Sequence, residues 1–227
     1  MYVPVPFKPD DASVRELLAR GGAADLVTVT SRGLLATLLP FTYDEPGSRS
    51  DAAKWGVLMG HMARNNEQWR EPAQGGALAI VGGPDAYISP TWYATKREHG
   101  QVVPTWNYVT AHVYGQLVVH DDSAWVEALV RRLTAKHETG RPAPWSVNDA
   151  PTEYIAGELR AIVGVEVLID RVEGKFKLNQ NRSRADVEGV IAGLHVEGKL
   201  ELAEAMKRAA AGQSSRRLVE RRARRRS

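Results

Sequence analysis

Sixteen consecutive residues, Thr105 to His120, are dominated by Trp, Tyr, Val and Thr. Aromatic and β-branched side chains fit a pleated, half-buried surface. A strand of this length suits the bent wall of a barrel, with Gly115 the place for a bulge. Shorter apolar runs accompany it. Leu26–Thr30 and Leu34–Leu39 are split by Ser31-Arg32-Gly33, as a tight hairpin requires, and Trp55–Met59 is a third run. Ala77–Val81 and Ala86–Ser89 flank Gly82-Gly83-Pro84-Asp85, whose turn chemistry predicts a second hairpin. Ile162–Ile169 reads as a final core strand.

Helices enter mostly late. Ser13 with Glu16 fits a capping box before Val14, Leu17 and Leu18, and Gly21 stands where that helix stops. Asp121 or Asp122 caps a helix with Val126, Leu129, Val130 and Leu133 at i, i+3, i+4, i+7, and Glu153–Leu159 is a shorter one. Ser183 with Asp186 opens a helix carrying Val187, Val190, Ile191 and Leu194. Strands separated by turns, without a helix after each, favour a mainly β fold: an antiparallel barrel with peripheral helices rather than a doubly wound sheet.

Charge is unevenly placed. The net charge of the 227 residues is +3, but Ser214–Ser227 holds seven arginines and one glutamate, so the remainder carries −3. The basic character belongs to the tail, and the body offers no electrostatic case for nucleic acid. The predicted organisation is a domain over 1–195, a C-terminal helix over 196–213 and a mobile arginine-rich tail over 214–227. No apolar run reaches the length of a spanning helix and no signal segment opens the chain, so the sequence is read as cytoplasmic, with no membrane partner. The absence of cysteine removes disulfides, thiolate metal sites and cysteine nucleophiles.

Familiar catalytic motifs are missing or incomplete. Gly193 to Lys199 matches most of a phosphate-binding loop, but Leu200 replaces the magnesium-binding hydroxyl and no strand precedes it, so its glycines read as helix breaks. The six histidines form no H-E-x-x-H cluster, and no metal site is expected. His112 and His120 share a strand face but lie about 26 Å apart on a straight strand. Paired aspartates such as Asp10-Asp11 and Asp121-Asp122 read as helix caps rather than acid/base dyads.

The informative segment is Gly60 to Arg70, G-H-M-A-R-N-N-E-Q-W-R, which starts where the Trp55–Met59 strand is predicted to end and a helix to begin. Such a junction exposes backbone N–H groups, and a neighbouring guanidinium adds a bidentate charge, a geometry that suits a phosphate. The alternative is a solvated helix start with a surface arginine. Tyr87–Tyr93, Val103–Tyr108 and Gly174–Arg182 mix aromatic rings with hydrogen-bonding side chains, as stacking and edge recognition of a planar heterocycle require.

Together the segments G-H-M-A-R-N-N-x-Q-W (60–69), Y-I-S-P-T-W-Y (87–93), V-P-T-W-N-Y-V-x-x-H-x-Y-G (103–115) and K-L-N-Q-N-R (177–182) resemble the successive signature blocks of the PaiB-type regulators. The resemblance runs from Met1 to about Leu194. Asn66 and Asn179 depart from it, standing where family members usually carry Pro and Ser. It implies a split β-barrel of the pyridoxamine-phosphate-oxidase type, binding FMN, and a homodimer with two flavin sites at the subunit interface. On that footing Arg64, helped by His61 and Asn65, holds the flavin phosphate. Thr37 and Leu38 face the ring or ribityl chain, and Ser89 contributes from the next hairpin. Trp106 and Asn107 border the ring, while Lys177, Gln180 and Arg182 approach from the second subunit. No catalytic residue is assigned. The resemblance implies a negative transcriptional regulator. The Arg216–Arg226 tail, which lies outside the resemblance, is on charge alone the obvious element for reaching DNA. The alternative is an FMN-dependent oxidoreductase acting on a small molecule.

Overall fold

The computed structural model describes residues 1–47, 54–71 and 76–224, with side chains to 212. Six strands close an antiparallel barrel in the order β1-β2-β3-β6-β5-β4. They are β1 (Gly22–Thr30), β2 (Gly33–Asp44), β3 (Val57–Ala63), β4 (Ala77–Ile88), β5 (Thr105–His120) and β6 (Ile162–Lys177). The helices are α1 (Asp11–Arg20), α2 (Lys96–His99), α3 (Ser123–Glu138), α4 (Thr152–Arg160), α5 (Arg184–Val196) and α6 (Leu200–Arg224). Closure of the barrel removes the open strand edges that would otherwise invite aggregation. Among the described residues no helix is long and apolar enough to cross a membrane.

The chain divides into two compact units. One comprises Asp10–Gly82 and Ala111–Glu173, the other Met1–Pro9, Gly83–Thr110 and Gly174–Ser227. Strands β4, β5 and β6 each run from one into the other.

Alternation fills the first unit. Antiparallel partners share a face, so the register Phe41↔Gly60↔Val165 and Tyr43↔Leu58↔Val167 places Phe41, Leu58, Val165 and Val167 on one inner surface. Each of these four is at most 2% exposed. Gly60 belongs to this row because a Cβ there would lie 2.8 Å from the Pro40 carbonyl and 3.0 Å from the Phe41 ring. On the opposite face of β3, Val57 and Met59 pack with Leu129 and Leu133 of α3, and Trp125 and Leu168 lie against them. Each such aliphatic side chain contributes about 1.5–3 kcal/mol by leaving water. Arg132 of α3 pairs with Asp44, and Lys136 donates to the Ala19 carbonyl at 3.1 Å, which fastens the helix to β2 and α1.

In the second unit α5 buries Val187, Val190 and Leu194, and α6 buries Leu202, Ala203, Ala205 and Met206. Gly189 and Gly193 form a cradle for Trp92: Cβ atoms there would lie 2.2 Å from its carbonyl and 2.3 Å from its ring. Gly198, with φ +71°, ends α5, so these glycines pack and terminate helices.

Three sequence expectations need correcting. Gly82 to Asp85 makes no hairpin turn; β4 runs through it unbroken, neither glycine has a left-handed φ, and Val81, Ala86 and Ile88 are buried along it. Proline's fixed φ is compatible with extended backbone where its missing N–H is not needed. No helix starts at Gly60, because β3 continues to Ala63 and is followed by a turn and a 3-10 turn at Glu67–Trp69. The first helix is capped by Asp10, which accepts from Ser13 N at 2.9 Å, rather than by Ser13. The helix expected over 196–213 is α6 from Leu200, with backbone assigned to Arg224. The arginine side chains expected in the tail lie outside the described residues.

Candidate functional site

The expected site residues fall into two groups, one in each unit. In the first, β3 carries His61 on the face that includes Val57 and Met59, in register with Gly164 of β6. Its Nδ1 is buried without a hydrogen-bond partner, and burial pushes the imidazole pKa below its ordinary value, so the ring is neutral at pH 7. Asn65 is exposed in the turn that follows the strand.

Arg64 opens that turn and is heavily engaged. Its N–H donates to the Ala161 carbonyl at 2.8 Å. Nε donates to the Arg160 carbonyl at 2.7 Å, and Nη2 to Asp121 Oδ1 at 2.5 Å and the Ile162 carbonyl at 3.2 Å. The Asp121 hydrogen bond holds the Asp121 carboxyl below the usual carboxylate range and raises the guanidinium. The Arg64 carbonyl accepts from Trp69 Nε1 at 2.9 Å and Arg70 Nη2 at 3.0 Å. Both guanidinium groups flank the Trp69 ring, at 6.0 and 5.2 Å from its centroid.

Thr37 and Leu38, adjacent on β2, point to opposite faces. Leu38 is 63% exposed. The Thr37 hydroxyl donates to Gln68 Oε1 at 2.5 Å and accepts from Asn66 Nδ2 at 2.9 Å. Buried Gln68 Nε2 in turn reaches the Leu26 and Leu35 carbonyls and Thr28 Oγ1 at 2.9, 3.3 and 3.1 Å. The N-x-Q portion of the motif therefore pins the β1–β2 hairpin from within, and the Thr37 hydroxyl is part of that pin.

In the other unit, Ser89 caps the 3-10 turn Pro90–Trp92, accepting from Thr91 N at 3.2 Å. Trp106 is exposed, donates Nε1 to Asp85 at 2.9 Å and meets Tyr87 edge-on at 6.4 Å. Asn107, its neighbour on β5, is wholly buried: Nδ2 contacts Met206 Sδ at 3.5 Å and Oδ1 has no partner. Lys177 donates to Thr105 Oγ1 at the end of β6. Gln180 closes the following turn, accepting from Leu178 N at 2.8 Å and donating to the Phe176 carbonyl at 2.5 Å. Arg182 lies over the Tyr93 ring at 5.0 Å. Asn179, at φ 63°, takes the left-handed conformation that Asn tolerates better than most residues.

The sequence reading missed several partners. Asp122 is the cap of α3, which frees Asp121 for Arg64. His120 stacks on Trp125 at 3.9 Å and hydrogen-bonds Glu166 at 2.9 Å. Gly164 leaves room for this stack, since a Cβ there would lie 2.2 Å from the Trp125 ring. Among the described residues no cluster of three or more metal-ligating side chains occurs.

The family model described as "Putative FMN-binding domain" matches residues 1–171, three quarters of the chain. The chain belongs to this family. It is 32% identical over 199 residues to the Bacillus subtilis protease synthase and sporulation protein PAI 2 (PaiB), covering 87% of this chain and 90% of that protein. An uncharacterised Emericella nidulans protein is also 32% identical, over 225 residues, covering 85% of this chain and 90% of its own length. The fold resembles the flavocytochrome Anf3 of Azotobacter vinelandii (TM-score 0.52, 13% identity, 79% of this chain and 73% of that one). It also resembles an FAD- and heme-binding protein of Mycobacterium smegmatis (TM-score 0.52, 18% identity, 81% and 78%). The fold is an antiparallel split β-barrel with peripheral helices, as the sequence predicts.

Proposed function

We propose that this chain binds FMN and acts as a flavin-responsive negative regulator of transcription. The match to the FMN-binding family model over residues 1–171 carries the flavin reading. Within the Asp10–Gly82 unit the buried His61 Nδ1, three positions before Arg64, has no hydrogen-bond partner among the described residues. Such an atom costs about 1–3 kcal/mol, which a bound partner would offset. The donor set fits a phosphorylated heterocycle. Arg64 with Asn65 and neutral His61 would hold the phosphate, the Leu38 side chain and the β2 main chain would face the ribityl chain or ring, and Ser89 would add a hydroxyl. Trp106 and Asn107 would border the ring. Lys177, Gln180 and Arg182 would come from a second copy of the chain.

A homodimer accords with the outer face of β1–β2. Val29 and Leu34, opposed in register, and Leu38 further along β2 are all exposed, a row of apolar side chains that a second copy would cover. The regulatory role rests on kinship with PaiB. With the body at −3, DNA contact is assigned to the arginines of 216–226.

A second reading, an FMN-dependent oxidoreductase, is favoured by the exposed Trp106–Tyr87 pair, a platform open to a planar partner. In that case the flavin supplies electron transfer, and the protein supplies orientation and access. Anaerobic mixing of the flavin-loaded protein with NADH or NADPH separates the readings: bleaching with either donor selects the oxidoreductase. Salt-titrated DNA binding by full-length and tail-deleted protein is the counterpart. Sequence-blind binding lost with the tail would remove the specific repressor.

A further inference from the structure

The Arg64 guanidinium is not idle before any ligand arrives. Two main-chain carbonyls, of Arg160 and Ile162, aim it by accepting from Nε and Nη2, and Asp121 takes the remaining contact at Nη2. Nη1 has no acceptor among the described residues. The Arg160 carbonyl closes α4 and the Ile162 carbonyl opens β6, so both are held by regular backbone, whereas the Asp121 side chain is half exposed and sits in the link between β5 and α3. Arg70 stands on the same indole, with its Nη2 on the Arg64 carbonyl, so two cations share this corner with one carboxylate.

We infer that Asp121 is a built-in competitor for the anion site at Arg64: a carboxylate placeholder that a phosphomonoester dianion must displace, and thereby a determinant of how strongly the site distinguishes phosphorylated from unphosphorylated flavin. The inference rests on the FMN reading above. An exposed carboxylate–guanidinium pair is worth little in water, so displacement is cheap. A dianion offers more acceptors and more charge to the same fork, while the fixed carbonyls keep the fork aimed as the carboxylate leaves. Asp121 remains nearby after displacement and repels the bound phosphate. Its removal therefore strengthens binding of phosphorylated ligand and leaves a neutral ligand unaffected. A purely structural role for the pair would move both ligands together.

The test uses the full-length chain, with FMN and riboflavin titrated separately into wild type and Asp121→Asn and followed by flavin fluorescence. Asp122, the α3 cap, is untouched, and far-UV circular dichroism checks the fold. The expected result is FMN binding about threefold tighter or more, with riboflavin unchanged. An unchanged or weaker FMN affinity, or an equal gain for both ligands, overturns the inference while leaving FMN binding by the wild type intact. Asp121→Glu, which keeps the charge, is expected to bind FMN as the wild type does, and a gain equal to that of Asp121→Asn would overturn the inference. If Asp121→Asn lacks the native spectrum, Asp121→Ser is judged by the same criteria. If no variant takes up FMN, the flavin reading itself fails. Calorimetry with inorganic phosphate then decides the competitor role: tighter binding to Asp121→Asn sustains it, and equal binding overturns it.

Discussion

Replacing Gln68 by Glu changes one atom and nearly nothing in volume, yet it reverses the hydrogen bonding at the centre of the β1–β2 hairpin. Gln68 is 1% exposed, and its two Nε2 hydrogens are shared among the Leu26 carbonyl, the Leu35 carbonyl and Thr28 Oγ1. In Gln68→Glu a carboxylate oxygen faces those carbonyls instead. Two lost hydrogen bonds cost about 1–1.5 kcal/mol each. Burying an unpaired charge against carbonyl dipoles raises the total to about 3–5 kcal/mol at pH 7. For a chain of this length that lowers the melting temperature by roughly 6–20 °C. The penalty also depends on pH. The carboxyl's folded pKa lies above its unfolded value of about 4.3, because burial and the facing carbonyls disfavour the charge. The variant is thus least impaired below about pH 4, and it loses stability relative to wild type as pH rises toward the raised folded pKa. Urea unfolding of both proteins at several pH values, followed by tryptophan fluorescence, measures this. A variant within about 0.5 kcal/mol of wild type at pH 7 would refute the buried network.

Four further outcomes follow from the geometry. Arg64→Ala is expected to weaken FMN binding more than tenfold in fluorescence titrations, with riboflavin affected far less. Gly193→Ala is expected to cost about 1–3 kcal/mol in denaturant unfolding as its methyl meets the Trp92 ring, and Gly189→Ala more, because its methyl meets main chain. Burial opposes ionisation of Asp186, but hydrogen bonds from Thr95 and Ser183 outweigh it and lower the carboxyl pKa. Its contribution is therefore complete above the unfolded value of about 3.9 and is lost as pH falls through the lower folded value, so Asp186→Asn should flatten the acid limb of the stability curve. His61 is held neutral by burial, so the unfolded chain takes up its proton first. Stability should fall as pH drops below about 6.5, and His61→Gln should remove that part of the slope.

What could be read in advance was local and periodic. The β5 boundaries, Thr105 and His120, follow from an uninterrupted run of strand formers whose alternate members, Asn107 to Gly115, are buried. The α3 and α5 stripes are equally visible, because helical spacing writes the buried face into the order of residues. Turn chemistry misled where packing overrode it. Gly82-Gly83-Pro84-Asp85 stays extended because the buried residues on either side continue one strand. Gly60 marks close contact with Phe41 rather than a helix start. The site was half legible. The motifs located the residues, but Arg64 and its carboxylate partner are 57 positions apart, and Gln68 lies 42 from the carbonyl it donates to. No periodicity encodes such contacts. Adjacent residues such as Trp106 and Asn107, or Thr37 and Leu38, are neighbours in a motif yet sit on opposite faces of a strand, and only the register shows which of them is turned outward.

Equilibrium titration of the purified full-length chain with FMN, monitored by flavin absorbance and fluorescence, bears most directly on the flavin reading. Saturable uptake of about one FMN per chain, competed by inorganic phosphate and weakened more than tenfold by Arg64→Ala, is the result expected. Absence of uptake at millimolar FMN, or uptake indifferent to both phosphate and Arg64, would contradict it.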